Sequence, residues 1–319
     1  MPLGTVVIVT HNSGSCIGAC LQALIPFTQW QVVMVDNNST DDTVRKARTL
    51  PLEMHTLINA HNVGFAGAVN QAFKVAEGDL LVILNPDTIA TAGSLDKLAQ
   101  ALRTDTVGAA GGLLLNEGGL PQKGFTVRRF PTIGSMLAEV LLVNRIWPSN
   151  PWNVRYRCLD IDYQTAQEVE QPAGACLAVK RQAWVTVDGF DESFFPVWFE
   201  DVDFCRRLRD RGWRIVYCPD AIFLHAGAHS VNRLAFRDRQ SYWYRNLLRY
   251  FRKHHSRYEL AVLRVGIAIG LLLRALLSLV GFGPAGTSIT ETLEAYWHVA
   301  WQYAIKCADG ERIANQPRS

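Results

Sequence analysis

The sequence predicts an α/β fold: a mostly parallel central sheet with helices on both faces. Three observations predict it. Short, continuous runs of β-branched and aliphatic residues recur through the first half. Segments of helical length separate them. Turn signals fall at the junctions. The chain has 319 residues, 49% hydrophobic and 19% charged, so it can bury a substantial core and is not compositionally disordered.

The strands expected are TVVIVT (5–10), WQVVMVD (30–36), DLLVILN (79–85) and VGAAGG (107–112). Helical patterns occupy roughly 15–25, 41–50, 65–77 and 91–103. In DNNSTDDT, which follows the second strand, Ser39 and Thr40 can cap the next helix. Residues 113–170 carry Gly118-Gly119, scattered prolines and several tryptophans, and show no regular pattern. GACLAVKRQAW (174–184) reads as a strand entering a helix, and GFDESFF (189–195) as a turn. VDFCRRLRDRGW (202–213) reads as a helix ending at Gly212. RIVYCP (214–219) and AIFLHA (221–226) read as two short strands.

Composition shifts after 235, which places a first domain at 1–235 and a helical region at 236–319. FRDRQSYWYRNLLRYFRKHH (236–255) puts Arg245, Arg249 and Arg252 on one helix face and Trp243, Leu247 and Phe251 on another. LAVLRVGIAIGLLLRALLSLVG (260–281) is apolar and long enough for a bilayer, but Arg264 and Arg274 interrupt it. A helix lying in the membrane plane, with both arginines snorkelling, is therefore expected over a spanning one. The basic face would meet anionic lipid, and Trp297 and Trp301 suit the interface. The alternative use of these helices is a homo-oligomer interface. A last helix is expected at 289–308, opened by a capping box from Ser288 to Glu291.

A net charge of +3 gives no reason to expect nucleic acid. Seven cysteines, an odd number without a CxxC pair, argue against a disulfide framework or zinc site and for a reducing compartment. The N-terminus lacks the pattern of a signal peptide, so a cytoplasmic location is expected.

In such sheets ligands bind beyond the carboxyl ends of the strands. Three polar groups fall at that edge: Thr10, His11 and Asn12; Asp36 to Ser39, with Asn38 among them; and Asn85 to Asp87. An aspartate there can hold a divalent cation beside phosphates, although it is also a common turn residue. NVGFAGAVNQAF (62–73) has small residues at Gly64 and Gly67 at the start of a helix, where anions are favoured; tight packing is the competing reading. It is not a dinucleotide fingerprint. His225 and His229 in FLHAGAHS are either metal ligands or structural histidines. VWFEDVDF (197–204) crowds Glu200, Asp201 and Asp203 into a helical first turn, where the macrodipole stabilises each by about 0.3–1 kcal/mol when exposed. Capping alone accounts for one or two acids. The preceding Phe194, Phe195, Trp198 and Phe199 would desolvate a carboxylate and make it a better proton acceptor. Asp203 is expected to be structural, and the aromatics to wall the acceptor side.

Taken in order, VVIVTHNS, VDNNSTDDT, NVGFAGAVNQAF, LLVILNPDT, GACLAVKR, GFDESFF, FEDVDFCRRLRDRGW and FLHAGAHS resemble family 2 of the inverting glycosyltransferases, in particular its rhamnosyltransferase-like branch. The likeness covers about residues 5 to 235. It implies the GT-A fold, with 1–112 as the nucleotide-sugar-binding half and 113–235 as the acceptor-binding half. By that resemblance Thr10, Asn12, Asp36, Asn38, Asn62, Gly64 and Asn85 would bind the donor. Asp87 would hold Mg²⁺ or Mn²⁺, with His225 as a second ligand. Asp201 would be the catalytic base and Glu200 its neighbour, although adjacent helical residues diverge by about 100°, so which acid faces the hydroxyl stays open. The usual Asp-x-Asp has Asn85 in its first position, a mark of the branch. The expected donor is a dTDP- or UDP-sugar, dTDP-rhamnose included. The expected acceptor is a saccharide, lipid-linked on polyprenyl diphosphate, at the inner membrane face. Two other classes compete. A nucleotidyltransferase would want a glycine-rich loop with Arg and Lys after the first strand, which THNSGS lacks. A non-catalytic sugar-nucleotide-binding module would show no transfer.

Overall fold

The computed structural model describes residues 1–227 and 234–305; His229 lies outside the described residues. The chain forms two compact units. The first comprises Met1–Phe130 and Val154–Arg233, the second Pro131–Asn153 and Leu234–Ser319. Residues 131–153 thus group with the C-terminal helices, whereas the sequence reading ran the first domain unbroken to 235.

In the first unit the elements are β1 (Gly4–Thr10), α1 (Ile17–Leu24), β2 (Trp30–Asp36), α2 (Thr43–Arg48), β3 (His55–Ile58), α3 (Gly64–Val75), β4 (Leu80–Leu84), β5 (Thr88–Ala90), α4 (Ser94–Ala101), β6 (Val107–Leu115) and β7 (Val127–Arg128). Three short helices lie in the stretch that showed no pattern: α5 (Ile133–Val140), α6 (Val143–Ile146) and α7 (Pro151–Tyr156). The first unit resumes with β8 (Gln167–Glu168), β9 (Gln171–Pro172), β10 (Cys176–Lys180), α8 (Arg181–Thr186), α9 (Glu200–Asp210) and β11 (Arg214–His225).

The main sheet runs β3-β2-β1-β4-β10-β6-β11-β5, with β8 pairing β11. β3, β2, β1 and β4 are mutually parallel, and β6 is parallel to β11; β10 is antiparallel to both its neighbours. The two short strands expected at 214–226 are one strand, with a register shift between Cys218 and Ile222 where Pro219 interrupts the ladder. Alternation along β1 sends Val6 and Ile8 to one face and Val7 and Val9 to the other. The first face packs on α1 and α4 through Leu21, Leu24, Leu95 and Leu98. The second packs on α3, α8 and α9 through Val69, Trp184, Phe204 and Leu208. Both faces are covered, which is why these strands are continuously apolar.

In the second unit α5 and α6 are joined by α10 (Phe236–His254), α11 (Arg257–Leu279) and α12 (Ile289–Val299), the last continuing as a π-helix at Ala300–Ile305. Leu247 and Phe251 of α10 are fully buried, as its amphipathic pattern requires. Gly266 and Gly270 let α11 approach α5: a Cβ at Gly270 would lie 2.0 Å from the Val140 carbonyl oxygen. Arg274, expected to snorkel, instead turns inward. Its guanidinium donates to the carbonyls of Glu139 and Val140, which end α5.

Candidate active site

The first three polar groups do meet at one sheet edge. Thr10 and Asp36 are Cα partners across β1 and β2, so both side chains emerge at the strand ends together. Thr10 donates its hydroxyl to Asp36 Oδ1 at 2.6 Å. Asp36, 1% exposed, also accepts the Ser39 amide at 2.8 Å and the Ser39 hydroxyl at 2.6 Å. Asn12, with φ +53, accepts the Thr40 amide at 2.8 Å through its side-chain oxygen, and its own amide donates to the Ser39 hydroxyl. The two loops are therefore one hydrogen-bonded platform. Asn38 is exposed at φ +61. Its neighbour Asn37, within the same expected group, is buried and donates to the Gly64 carbonyl at 3.1 Å.

Asn62 accepts the Gly64 amide at 2.8 Å, a local turn of the kind asparagine favours. Gly64 has φ +82, and a Cβ there would lie 2.8 Å from the Phe195 ring. The Phe65 amide donates to the Pro196 carbonyl at 2.8 Å. The start of α3 is thereby tied to the aromatic run before the acids. Phe194 and Phe199 are buried, leaving Phe195 and Trp198 partly exposed; only these two can wall a ligand, not the whole run.

Asp87 and His225 are brought together by strand pairing. β11 runs antiparallel to β5, with His225 opposite Thr88, so His225 lands beside Asp87 although 138 positions separate them. Their side chains approach to 3.5 Å between Nε2 and Oδ1, and both are buried. The ring of Phe125 stacks on His225 with centroids 5.0 Å apart. Gln122 holds the other side of the imidazole.

The acids sit at the start of α9, whose N-terminal boundary is strained. Trp198 and Phe199 have φ +77 and +71, conformations costing of order 1–3 kcal/mol each for such residues. The three acids then separate. Asp203 is fully buried and pairs with Arg207 at 2.7 Å, a contact in keeping with the structural role expected of it. Asp201, partly buried, accepts three N–H groups: Gly174 at 2.9 Å, Gln171 at 3.0 Å and Val202 at 2.8 Å. Desolvation raises its carboxyl above the usual range, against the pull of the Gly174 and Val202 amides and of Arg128. Glu200 is 4% exposed. Its Oε2 is buried without a hydrogen-bond partner among the described residues. Burial, and then the charge of Asp201, push its carboxyl well above its ordinary range.

A sign can be worked out for Glu200. Its folded pKa lies above its unfolded value, so its stabilising contribution is complete below the unfolded pKa. That contribution is lost as pH rises through the window up to the folded pKa, by about 1.4 kcal/mol per pH unit. Glu200→Gln should remove this slope, making the variant gain on the wild type as pH rises from 5 to 8. Parallel urea melts across that range check it. Equal slopes in both proteins would show that Glu200 ionises normally.

Gly174 and Ala175 connect the acids to the metal-type pair. The Gly174 amide binds Asp201, while the Ala175 carbonyl accepts the Asn85 amide at 3.1 Å. A Cβ at Gly174 would sit 3.1 Å from Asp201 Oδ2, so glycine gives the carboxylate its amide. Gln122, Phe125, Arg128, Gln171 and Gly174 all adjoin the site and were not singled out by sequence. Only GAC, at 174–176, carried a signal, as part of the strand motif.

Residues 5–158 match the family model described as glycosyl transferase family 2. Over 279 residues the chain is 32% identical to the N-acetylglucosaminyl-diphospho-decaprenol L-rhamnosyltransferase of Mycobacterium tuberculosis, covering 77% of this chain and 87% of the relative. It is 27% identical over 178 residues to rhamnosyltransferase WbbL of Escherichia coli, covering 55% and 63% respectively. Among solved structures, the mannosyltransferase PcManGT of Pyrobaculum calidifontis, in complex with GDP-Man and Mn²⁺, superposes with a TM-score of 0.53 at 19% identity. That match covers 96% of this chain and 86% of the other. GalNAc-T7 with UDP, GalNAc and Mn²⁺ gives 0.58 at 14% identity, covering 95% and 55%. Both structures share the fold.

Proposed function

This chain belongs to glycosyl transferase family 2 and is a glycosyltransferase, and on that premise we propose that it transfers L-rhamnose from dTDP-rhamnose, with inversion, to a polyprenyl-diphosphate-linked saccharide in cell-wall polysaccharide synthesis. The sugar and acceptor class are suggested by the name of the mycobacterial relative. The observation that carries the chemistry is the pairing of Asp201 and Glu200. One carboxylate is held by three N–H groups, and its neighbour is buried with an oxygen that has no hydrogen-bond partner among the described residues.

Asp201 would accept the proton of the acceptor hydroxyl as the new C–O bond forms on the face opposite the leaving diphosphate, which inverts the anomeric centre. Three donors keep Asp201 ionised, while desolvation keeps it basic. Glu200, whose carboxyl burial pushes well above its ordinary range, would in its protonated form add no like charge and offer a hydrogen bond. Thr10, Asn12, Asp36, Asn38, Asn62, Gly64 and Asn85 would line the donor. Asp87 and His225 fit Mg²⁺ or Mn²⁺: a carboxylate oxygen and an imidazole nitrogen 3.5 Å apart form a hard-to-borderline donor set. Such an ion, when bound, neutralises charge on the leaving diphosphate.

The acceptor's lipid would reside in a membrane surface, and α11 offers a face for it at the cytoplasmic side. Val265, Ile269, Leu272, Leu276 and Leu279 are exposed along this helix, and Trp297 and Trp301 are exposed after it. The helix is long and apolar enough to cross a membrane. With Arg274 bound inward, the exposed stripe favours a helix lying in the interface. The same stripe, spaced alternately by four and three, also suits a second copy of the chain.

One experiment tests the reading. The full-length protein is mixed with anionic vesicles carrying polyprenyl-diphosphate GlcNAc, together with dTDP-rhamnose and Mn²⁺. We expect a rhamnosylated lipid product and co-sedimentation with the vesicles. Transfer only from another nucleotide-sugar would refute the donor. Failure to sediment, with a dimer in light scattering, would replace the membrane reading with the oligomer.

A further inference from the structure

We propose that Gln122 is a positioning residue that fixes a proton on Nδ1 of the His225 ring and presents Nε2, the ligating nitrogen, toward Asp87. The inference rests on the metal reading given above and deepens it.

The hydrogen-bond directions follow from one another. The Gln122 side chain makes two contacts with the same residue: its Nε2 lies 2.6 Å from the His225 carbonyl oxygen, and its Oε1 lies 2.9 Å from His225 Nδ1. A carbonyl oxygen can only accept, so the amide nitrogen must face it; the flipped amide would oppose two oxygens at 2.6 Å. Oε1 therefore faces the ring, and Oε1 can only accept. Nδ1 must therefore carry a proton, which leaves Nε2 as the ring nitrogen able to ligate. Nε2 is the nitrogen 3.5 Å from Asp87 Oδ1.

The residue doing this is itself anchored. Gln122 follows a turn in which Asn116 accepts the Gly118 amide at 3.0 Å and the Leu120 amide at 2.9 Å. The Gln122 amide donates to Leu114 at the end of β6 at 2.9 Å, and its carbonyl accepts the amides of Phe125 and Thr126 at 3.1 and 3.0 Å. That turn also delivers Phe125, whose ring lies within 7° of parallel to the imidazole. The ring is thus held by a stack on its face and an amide on its edge. Outer partners of this kind orient histidine ligands, and losing one typically costs about 10–100-fold in metal affinity.

The test uses the full-length protein labelled with ¹⁵N-histidine, the His225 signals being assigned by their loss in His225→Ala. Without metal, wild type should show a protonated Nδ1. Gln122→Met should show a mixture of tautomers and bind Mn²⁺, with nucleoside diphosphate present, about 10–100-fold more weakly. A wild-type Nδ1 without its proton, or an unchanged spectrum in Gln122→Met, would overturn the proposal. If the tautomer shifts as expected but His225→Ala binds Mn²⁺ as tightly as wild type, the metal reading fails and the tautomer lock stands.

Discussion

Asp201→Asn should lower turnover by about 10²–10⁴-fold, the usual contribution of a positioned general base, while donor affinity stays close to wild type. The amide that replaces the carboxylate cannot take a proton from an acceptor hydroxyl. A second consequence follows from the hydrogen bonds. Both oxygens of Asp201 accept N–H groups, Val202 on one and Gly174 with Gln171 on the other. Asparagine has one acceptor oxygen, so an N–H on one side would face its NH₂. Leaving such a donor unpaired costs about 1–3 kcal/mol, and a lowered Tm should accompany the loss of turnover. The two effects separate by measuring nucleoside diphosphate affinity on the same preparation. Turnover near wild type would remove Asp201 from the role of base.

Asp87→Ala should abolish most of the metal-dependent gain in donor affinity. Its carboxylate lies 3.5 Å from His225 Nε2, and among the described residues no cluster of three or more His, Cys, Asp or Glu could hold an ion unaided. The ion would thus be shared with the donor diphosphate, and loss of the carboxylate should cost more than the roughly 10–100-fold of a lost outer partner. Calorimetry of a nucleoside diphosphate with Mn²⁺, with Mg²⁺ and with EDTA reads this directly. Wild type should weaken on chelation; Asp87→Ala should be weak throughout. An affinity in the variant that still responds fully to metal would exclude Asp87 as a ligand.

The two substitutions act at opposite ends of one construction. β10 begins just after Gly174 and Ala175, which tie Asp201 to the loop after β4. An antiparallel strand inserted among parallel ones is what brings residues 174–175 to the same edge as Asn85.

The alternation of apolar runs and helices was enough to identify the sheet, and the polar strand ends Thr10, Asp36 and Asn85 to Asp87 were visible because each closes a run of buried residues. The division of the acids was half visible: Asp203 reads as structural from its place in a helix. The helices at 133–156 were not legible, since they are short and carry no sustained period. Residues 131–153 join the C-terminal unit through packing partners more than 80 positions away, which no local pattern encodes. The inward turn of Arg274 was hidden for the same reason: it depends on the carbonyl ends of α5, which only the packed helices bring within reach. The sequence by itself determined the periodicities, the turn chemistry and the supply of acids and histidines, because these depend on neighbours along the chain. Only the tertiary structure decided that His225 faces Asp87, that Gln122 bonds its ring, and that Glu200 is buried with an oxygen lacking a partner among the described residues while Asp201 is held by three donors. Those outcomes depend on strand order, register and burial, which are settled when distant segments pack.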